Sequence, residues 1–190
     1  MAVGDVSGKG IPAALFMAVA MTLLRSLARQ GHSPQEILRQ LNDELLQQNP
    51  RGMFVTMQVL VFDVSTGSVT CASAGHHAAV RVVRGEKPQL VFTSSGRVLG
   101  LLPAEVVACE TVDLQTGDGF VLFTDGVSEA FNADDDLFGE ERLVAQLQSS
   151  FGRGARETTL GVLDAVRRHA AGAPQSDDIT VLSVLYTGRP

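Results

Sequence analysis

The chain has no tryptophan, one tyrosine and only two cysteines in 190 residues. So few thiols leave no disulfide framework to organise a fold. Cys71 and Cys109 both sit in apolar, β-like runs, where a small buried thiol is the ordinary reading. A dense basic cluster is also missing: 15 Lys and Arg are scattered among 21 Asp and Glu, for a formal charge of -6. That distribution offers no electrostatic footprint to a nucleic-acid backbone or an anionic membrane, so neither is expected as a partner. The apolar stretch 11–24 is broken by Pro12 and Thr22 and stops at Arg25, short of the ~20 residues that span a bilayer. It is read as a buried helix. No basic segment with a small-residue cleavage site marks the start as a secretion signal, and a cytoplasmic location is the expectation.

What the chain does have is 45% apolar and 19% charged residues, the balance of a globular protein. The length suits one core, and residues 1–190 are read as a single domain. After a glycine-rich opening, Pro12 suits the first turn of a helix running to about residue 30 and apolar on nearly every face. Ser33-Pro34-Gln35-Glu36 is a capping box, and Ile37, Leu38, Leu41, Leu45 and Leu46 then trace one helical face. From residue 53 the texture turns β-branched and aromatic, predicting strands over 54–64, 69–73, 78–83, 90–93, 106–114 and 120–124. Helices are expected over about 140–150 and 155–171, and a last strand over 179–186. Strands and helices segregated in this way argue for an α+β fold, with helices packed outside antiparallel sheets.

Acidic residues stand at ends and turns of these elements. In Gly4-Asp5-Val6-Ser7-Gly8-Lys9-Gly10 the glycines permit a phosphate cradle or a plain helix cap, but the spacing is not that of a P-loop. Asp5 as a metal ligand, with the Val6 carbonyl as a second oxygen donor, is the preferred reading. In Leu122-Phe123-Thr124-Asp125-Gly126 an apolar strand ends on an acid, which is costly unless solvated or paired with a cation. Ser176-Asp177-Asp178-Ile179 sets two repelling carboxylates side by side before the final strand, and a divalent ion relieves that repulsion. These donors are all hard oxygens, with no His or Cys pair at zinc spacing, which favours Mg²⁺ or Mn²⁺. Asp134, Asp135 and Asp136 are read as a solvated loop before a helix, and His76 and His77 as turn residues. No Gly-x-Ser-x-Gly elbow surrounds Ser7 to support a serine triad.

The segments GDVSGKG, SAGH, LFTDGVSEA, FGEERL and DDITVL, in this order, resemble the bacterial SpoIIE/RsbU-type branch of the PP2C (PPM) serine/threonine phosphatases. The likeness covers essentially the whole chain. It implies an αββα sandwich of two antiparallel sheets flanked by helices, with a two-metal centre at one end. Carried over residue by residue, it implies that Asp5 bridges the metals, Val6 lends its carbonyl, and Asp125 and Asp177, with Asp178 beside it, complete the shell. Asp5, Asp125 and Asp177 are then the catalytic set, and the implied reaction is attack by a metal-bridging water on a phosphoserine or phosphothreonine. The implied substrate is a regulatory phosphoprotein such as a STAS-domain anti-anti-sigma factor. Two departures accompany the likeness. Ser7 stands where eukaryotic members carry the histidine of Asp-Gly-His, which leaves a metal-bound water as one implied proton donor to the leaving group. Only four residues precede Asp5, so the family's upstream strands with their Gly-Gly-Asp ligand are missing; an N-terminally truncated domain, weakened metal affinity, low activity and an open sheet edge that invites a homodimer are expected. Two rival readings remain: an inactive scaffold kept as a partner-binding regulatory module, and a nucleotide-binding protein that uses the glycine loop.

Overall fold

The computed structural model describes residues 1–49, 51–93, 97–103, 108–150 and 152–188. They form two compact units, each holding one four-stranded sheet and its own helices. The α+β class expected from the element pattern is what is observed: two antiparallel sheets plus helices.

The first unit comprises Met1–Asp63, Ser68–His76 and Phe92–Val112. Strand β1 (Ala2–Val6) leads into helix α1 (Gly10–Ala28), followed by α2 (Pro34–Gln47), β2 (Val55–Asp63), β3 (Ser68–Ala74) and, after the intervening part of the second unit, β6 (Cys109–Asp113). The sheet order is β1-β2-β3-β6. Alternate residues Val55, Met57 and Val59 of β2 share one face with Ala72 and Ala74 of β3, as the two-residue period of a strand requires. Against that face pack Phe16, Ala20, Leu24 and Leu27 of α1 and Ile37, Leu38, Leu41 and Leu45 of α2. Each fully buried Leu or Ile contributes roughly 1.5–3 kcal/mol of transfer free energy. The capping box is confirmed at its serine: Ser33 Oγ accepts the Glu36 N–H at 3.3 Å.

Two expectations are corrected here. Residues 2–6 are a strand, not part of a loop: β1 pairs antiparallel with β2 in the register Gly4 to Met57 and Asp5 to Thr56. Gly4 permits this pairing, since a Cβ there would lie 2.6 Å from the Thr56 carbonyl oxygen. Helix α1 is not buried all round either. Its core-facing residues, Ala13, Phe16, Ala20, Leu24 and Leu27, recur at three- and four-residue steps and trace a single stripe. Ile11 and Leu15, off that stripe, are 77% and 63% exposed. At 19 residues and a mean hydropathy of 1.8, α1 is long and apolar enough to cross a membrane by length and composition, a test that apolar core helices also pass.

The second unit comprises Val64–Gly67, His77–Val91 and Asp113–Pro190. It contains β4 (Ala79–Val82), β5 (Gln89–Val91), β7 (Gly119–Phe123), the short helix α3 (Asp125–Ser128), α4 (Gly139–Ser150), α5 (Ala155–Ala170) and β8 (Val181–Leu185). The sheet order is β5-β4-β7-β8. Val80, Val121 and Phe123 face Leu143 and Leu147 of α4 and Val162 and Val166 of α5. Strand β7 is buried along its whole length, which matches its unbroken apolar run Phe120-Val121-Leu122-Phe123. The turn before β7 closes on a buried acid: Asp118 Oδ2 accepts the Gln115 N–H at 3.0 Å and lies 3.7 Å from Arg81 Nη2. Helix α3 was not anticipated. Of the expected strand 106–114, residues 106 and 107 lie outside the described residues, and β6 begins at Cys109.

Candidate metal centre

The acidic residues singled out in the sequence fall on both units. In the first, Asp5 is half-buried on β1, opposite Thr56 of β2. Thr56 Oγ1 lies 3.4 Å from the Asp5 carbonyl oxygen, to which it donates, and 2.9 Å from His76 Nδ1. His76 is therefore more than a turn residue: it is 3% exposed and joins the backbone of the Asp5 strand through one hydroxyl. Sequence reasoning missed Thr56 altogether, because no local pattern announces a partner 51 residues away. Ser7, which stands in place of the family's histidine, uses Oγ to accept the Phe54 N–H at 2.8 Å, while its own N–H donates to the Phe54 carbonyl at 2.9 Å. It serves as a strand-end clasp. Gly8 and Gly10 take positive φ of 87° and 75° as the chain turns into α1, a conformation that favours glycine. Lys9, the N-cap, supplies no side-chain cap to the first turn.

In the second unit, β7 runs out of its apolar residues at Thr124 and the chain turns directly into α3 at Asp125. Asp125 is half-buried in the first turn of that helix, where a carboxylate is favoured, and its Oδ1 accepts the Gly126 N–H at 2.9 Å. The segment that leads to β8 lies against this turn. A Cβ on Gly126 would overlap the Asp178 carbonyl oxygen and come within 3.3 Å of the Asp177 carbonyl oxygen. Gly126 is thus the residue that allows the two acidic segments to approach. The carboxylates of Asp177 and Asp178 are exposed. Asp177 Oδ1 accepts the Asp178 N–H at 2.7 Å, and the Asp177 carbonyl accepts Gln175 Nε2 at 2.7 Å. Those bonds orient the paired acids from within their own loop.

The donors suit Mg²⁺ or Mn²⁺ chemically: carboxylates and a backbone carbonyl, with no sulfur among them. The close approach that Gly126 permits brings Asp125 next to the Asp177 and Asp178 backbone, as part of such a wall requires. Within either unit, however, the described residues gather no three His, Cys, Asp or Glu side chains close enough to hold an ion. Asp134, Asp135 and Asp136 are solvent-exposed, as expected. The Asp134 and Asp136 N–H groups both donate to Asn132 Oδ1 at 2.9 Å.

Comparison with known proteins adds a family model, a curated relative and two solved structures. The family model described as Stage II sporulation protein E (SpoIIE) matches residues 1–186. The phosphoserine phosphatase RsbU of Bacillus subtilis is 34% identical over 129 residues, covering 68% of this chain and 38% of RsbU. Among solved structures, the RsbU and RsbW domains of Rv1364c from Mycobacterium tuberculosis superpose with a TM-score of 0.82 at 25% identity, over 100% of this chain and 52% of that one. The PP2C domain of SiaA from Pseudomonas aeruginosa superposes with a TM-score of 0.85 at 22% identity, over 97% of this chain and 74% of that one. The chain spans 38% of the length of RsbU and 33% of that of a second curated relative, Protein IcfG of Synechocystis.

Proposed function

The chain belongs to the SpoIIE family, with a fold shared by PP2C-type phosphatase domains, and on that footing we propose that it is a metal-dependent phosphatase acting on phosphoserine or phosphothreonine in a regulatory protein. A STAS-domain anti-anti-sigma factor is the substrate class that the family likeness suggests. The observation that carries the reading is the packing of the Asp125 turn against Asp177 and Asp178 through Gly126, two acidic segments held together by backbone contact. Asp125 and Asp177, with Asp178 beside it, are the second unit's candidate ligands for Mn²⁺ or Mg²⁺, and Asp5 with the Val6 carbonyl are the first unit's. When bound, such a metal pair supplies positive charge to the phosphoryl oxygens and lowers the pKa of a coordinated water.

The chain's own residues have positional tasks in this scheme. Pairing with β2 and the bond from Thr56 hold the Asp5 backbone in register. The start of α3 fixes Asp125 at the end of a fully buried strand, where side-chain motion is limited. Ser7 Oγ is engaged by the Phe54 N–H, and its task in this scheme is to close the end of β1.

The rival reading, a catalytically silent scaffold that docks a phosphoregulator, rests on the absence of a three-ligand cluster within either unit among the described residues. One experiment separates the two. Release of phosphate from an aryl phosphate and from a phosphoserine peptide is measured with Mn²⁺, with EDTA, and for Asp125→Asn. Mn²⁺-dependent turnover that falls about 100-fold or more in the variant is the expected result, because loss of one charge-stabilising group alone costs that much. Turnover that ignores both EDTA and the substitution sinks the phosphatase reading.

A further inference from the structure

In the second unit a single buried hydroxyl is bonded on both sides to the acidic segment it faces. Thr124, 4% exposed, is the N-cap of α3. An N-cap threonine ordinarily turns its hydroxyl to the first free N–H groups of its own helix, and Thr124 makes no such bond. Its Oγ1 instead donates to the Asp178 carbonyl at 3.0 Å and accepts the Thr180 N–H at 3.1 Å. The Thr124 N–H donates in turn to the Thr180 carbonyl at 3.2 Å. Three hydrogen bonds therefore join the residue before Asp125 to the residues just after Asp177, across 54 to 56 positions of sequence.

We propose that Thr124 is a positioning residue: its hydroxyl holds the backbone of the Asp177 and Asp178 segment beside the Asp125 turn, which strengthens divalent-cation binding by these acids. The inference rests on the metal-centre reading above and adds to it a residue that touches no ion. Two exposed neighbouring carboxylates repel each other and have no covalent reason to stay beside a third. The restraint comes from the backbone that follows the acids, where the Thr124 hydroxyl bonds both the Asp178 carbonyl and the Thr180 N–H. Removing that hydroxyl leaves a carbonyl and an N–H without their partner in a partly buried place, a cost the segment relieves by shifting away. Gly126 provides the room for the approach and Thr124 supplies the attachment.

Mn²⁺ titration calorimetry on this chain, well below its melting temperature, tests the idea with Thr124→Val, which keeps the branched shape, and Thr124→Ser, which keeps the hydroxyl. The valine variant is expected to bind Mn²⁺ about tenfold or more weakly, the range seen when groups that orient metal ligands are lost. The serine variant should stay within about threefold of the wild type, since it retains both bonds. Should valine not fold, Thr124→Ala, which adds no bulk, makes the same comparison. A purely structural role would lower the melting temperature of these variants while the folded protein bound Mn²⁺ as before, so an unchanged Mn²⁺ affinity in the valine or alanine variant overturns the proposal. Absence of Mn²⁺ binding by the wild type overturns the metal-centre reading and this inference together, which sets it apart from the first failure.

Discussion

Gly126 shows how a residue with no chemistry of its own decides where chemistry can occur. The Asp178 carbonyl occupies the space that a methyl group would need, so the position cannot carry a side chain without a shift in the backbone of one acidic segment. Gly126→Ala is expected to lower stability by about 1–3 kcal/mol, the usual cost of forced overpacking, read from urea denaturation, and to weaken Mn²⁺ binding alongside. The two cysteines differ in the same local way. Burial, and after it the nearby charge of Glu110, pushes the Cys71 thiol well above the ordinary cysteine range, whereas Cys109 is exposed. Only the thiolate reacts, so native protein treated with iodoacetamide near neutral pH should be alkylated at Cys109 and spared at Cys71, as peptide mass spectrometry would show. Equal labelling of both in folded protein would contradict this placement.

Elements reveal a second kind of constraint. Helix α1 is apolar almost throughout in sequence, yet the fold uses one stripe of it, and the remaining apolar residues stay in solvent. Composition cannot predict that choice, because the stripe is selected by the β2 and β3 faces the helix meets. Phe16→Ala should therefore cost about 3–5 kcal/mol, as for other buried aromatic truncations. Leu15→Ala, one residue away, should change stability by no more than about 0.5 kcal/mol; comparable losses at the two positions would show that α1 is covered on both sides. Strand β1 teaches the converse. Ala2-Val3-Gly4-Asp5-Val6 reads locally as a glycine-rich opening, and becomes a strand because Val55 to Val59 lie alongside to pair with it. Helix α2, by contrast, was legible in full: its serine cap, proline and leucine face are all local signals, and it begins at Pro34 as they specify.

At the scale of the whole molecule, metal binding and stability are linked by mass action. A cation that binds only the folded chain stabilises it in proportion to its affinity, by about 2.7 kcal/mol at about 100 times its dissociation constant. Mn²⁺ should raise the melting temperature in a concentration-dependent way that EDTA reverses, and Asp125→Asn should flatten the response. A melting temperature indifferent to Mn²⁺ over the millimolar range would count against an ion held by these carboxylates.

By itself the sequence indicated most of the elements, α1 and β1 in part, α2 in full and α3 not at all, and the hard-oxygen character of the acids, since capping, side-chain periodicity and donor chemistry are properties of a few neighbouring residues. It also carried five ordered motifs sufficient to suggest the family to which the chain belongs. Only the tertiary structure decided that Thr56 joins Asp5 to His76, that Thr124 clasps Asp178 and Thr180, and that Gly126 lies under the Asp178 carbonyl. Those contacts bridge 20 to 56 residues of chain. Their partners are selected by which strands pair and which loops are carried along with them, a global outcome that no local window of residues encodes.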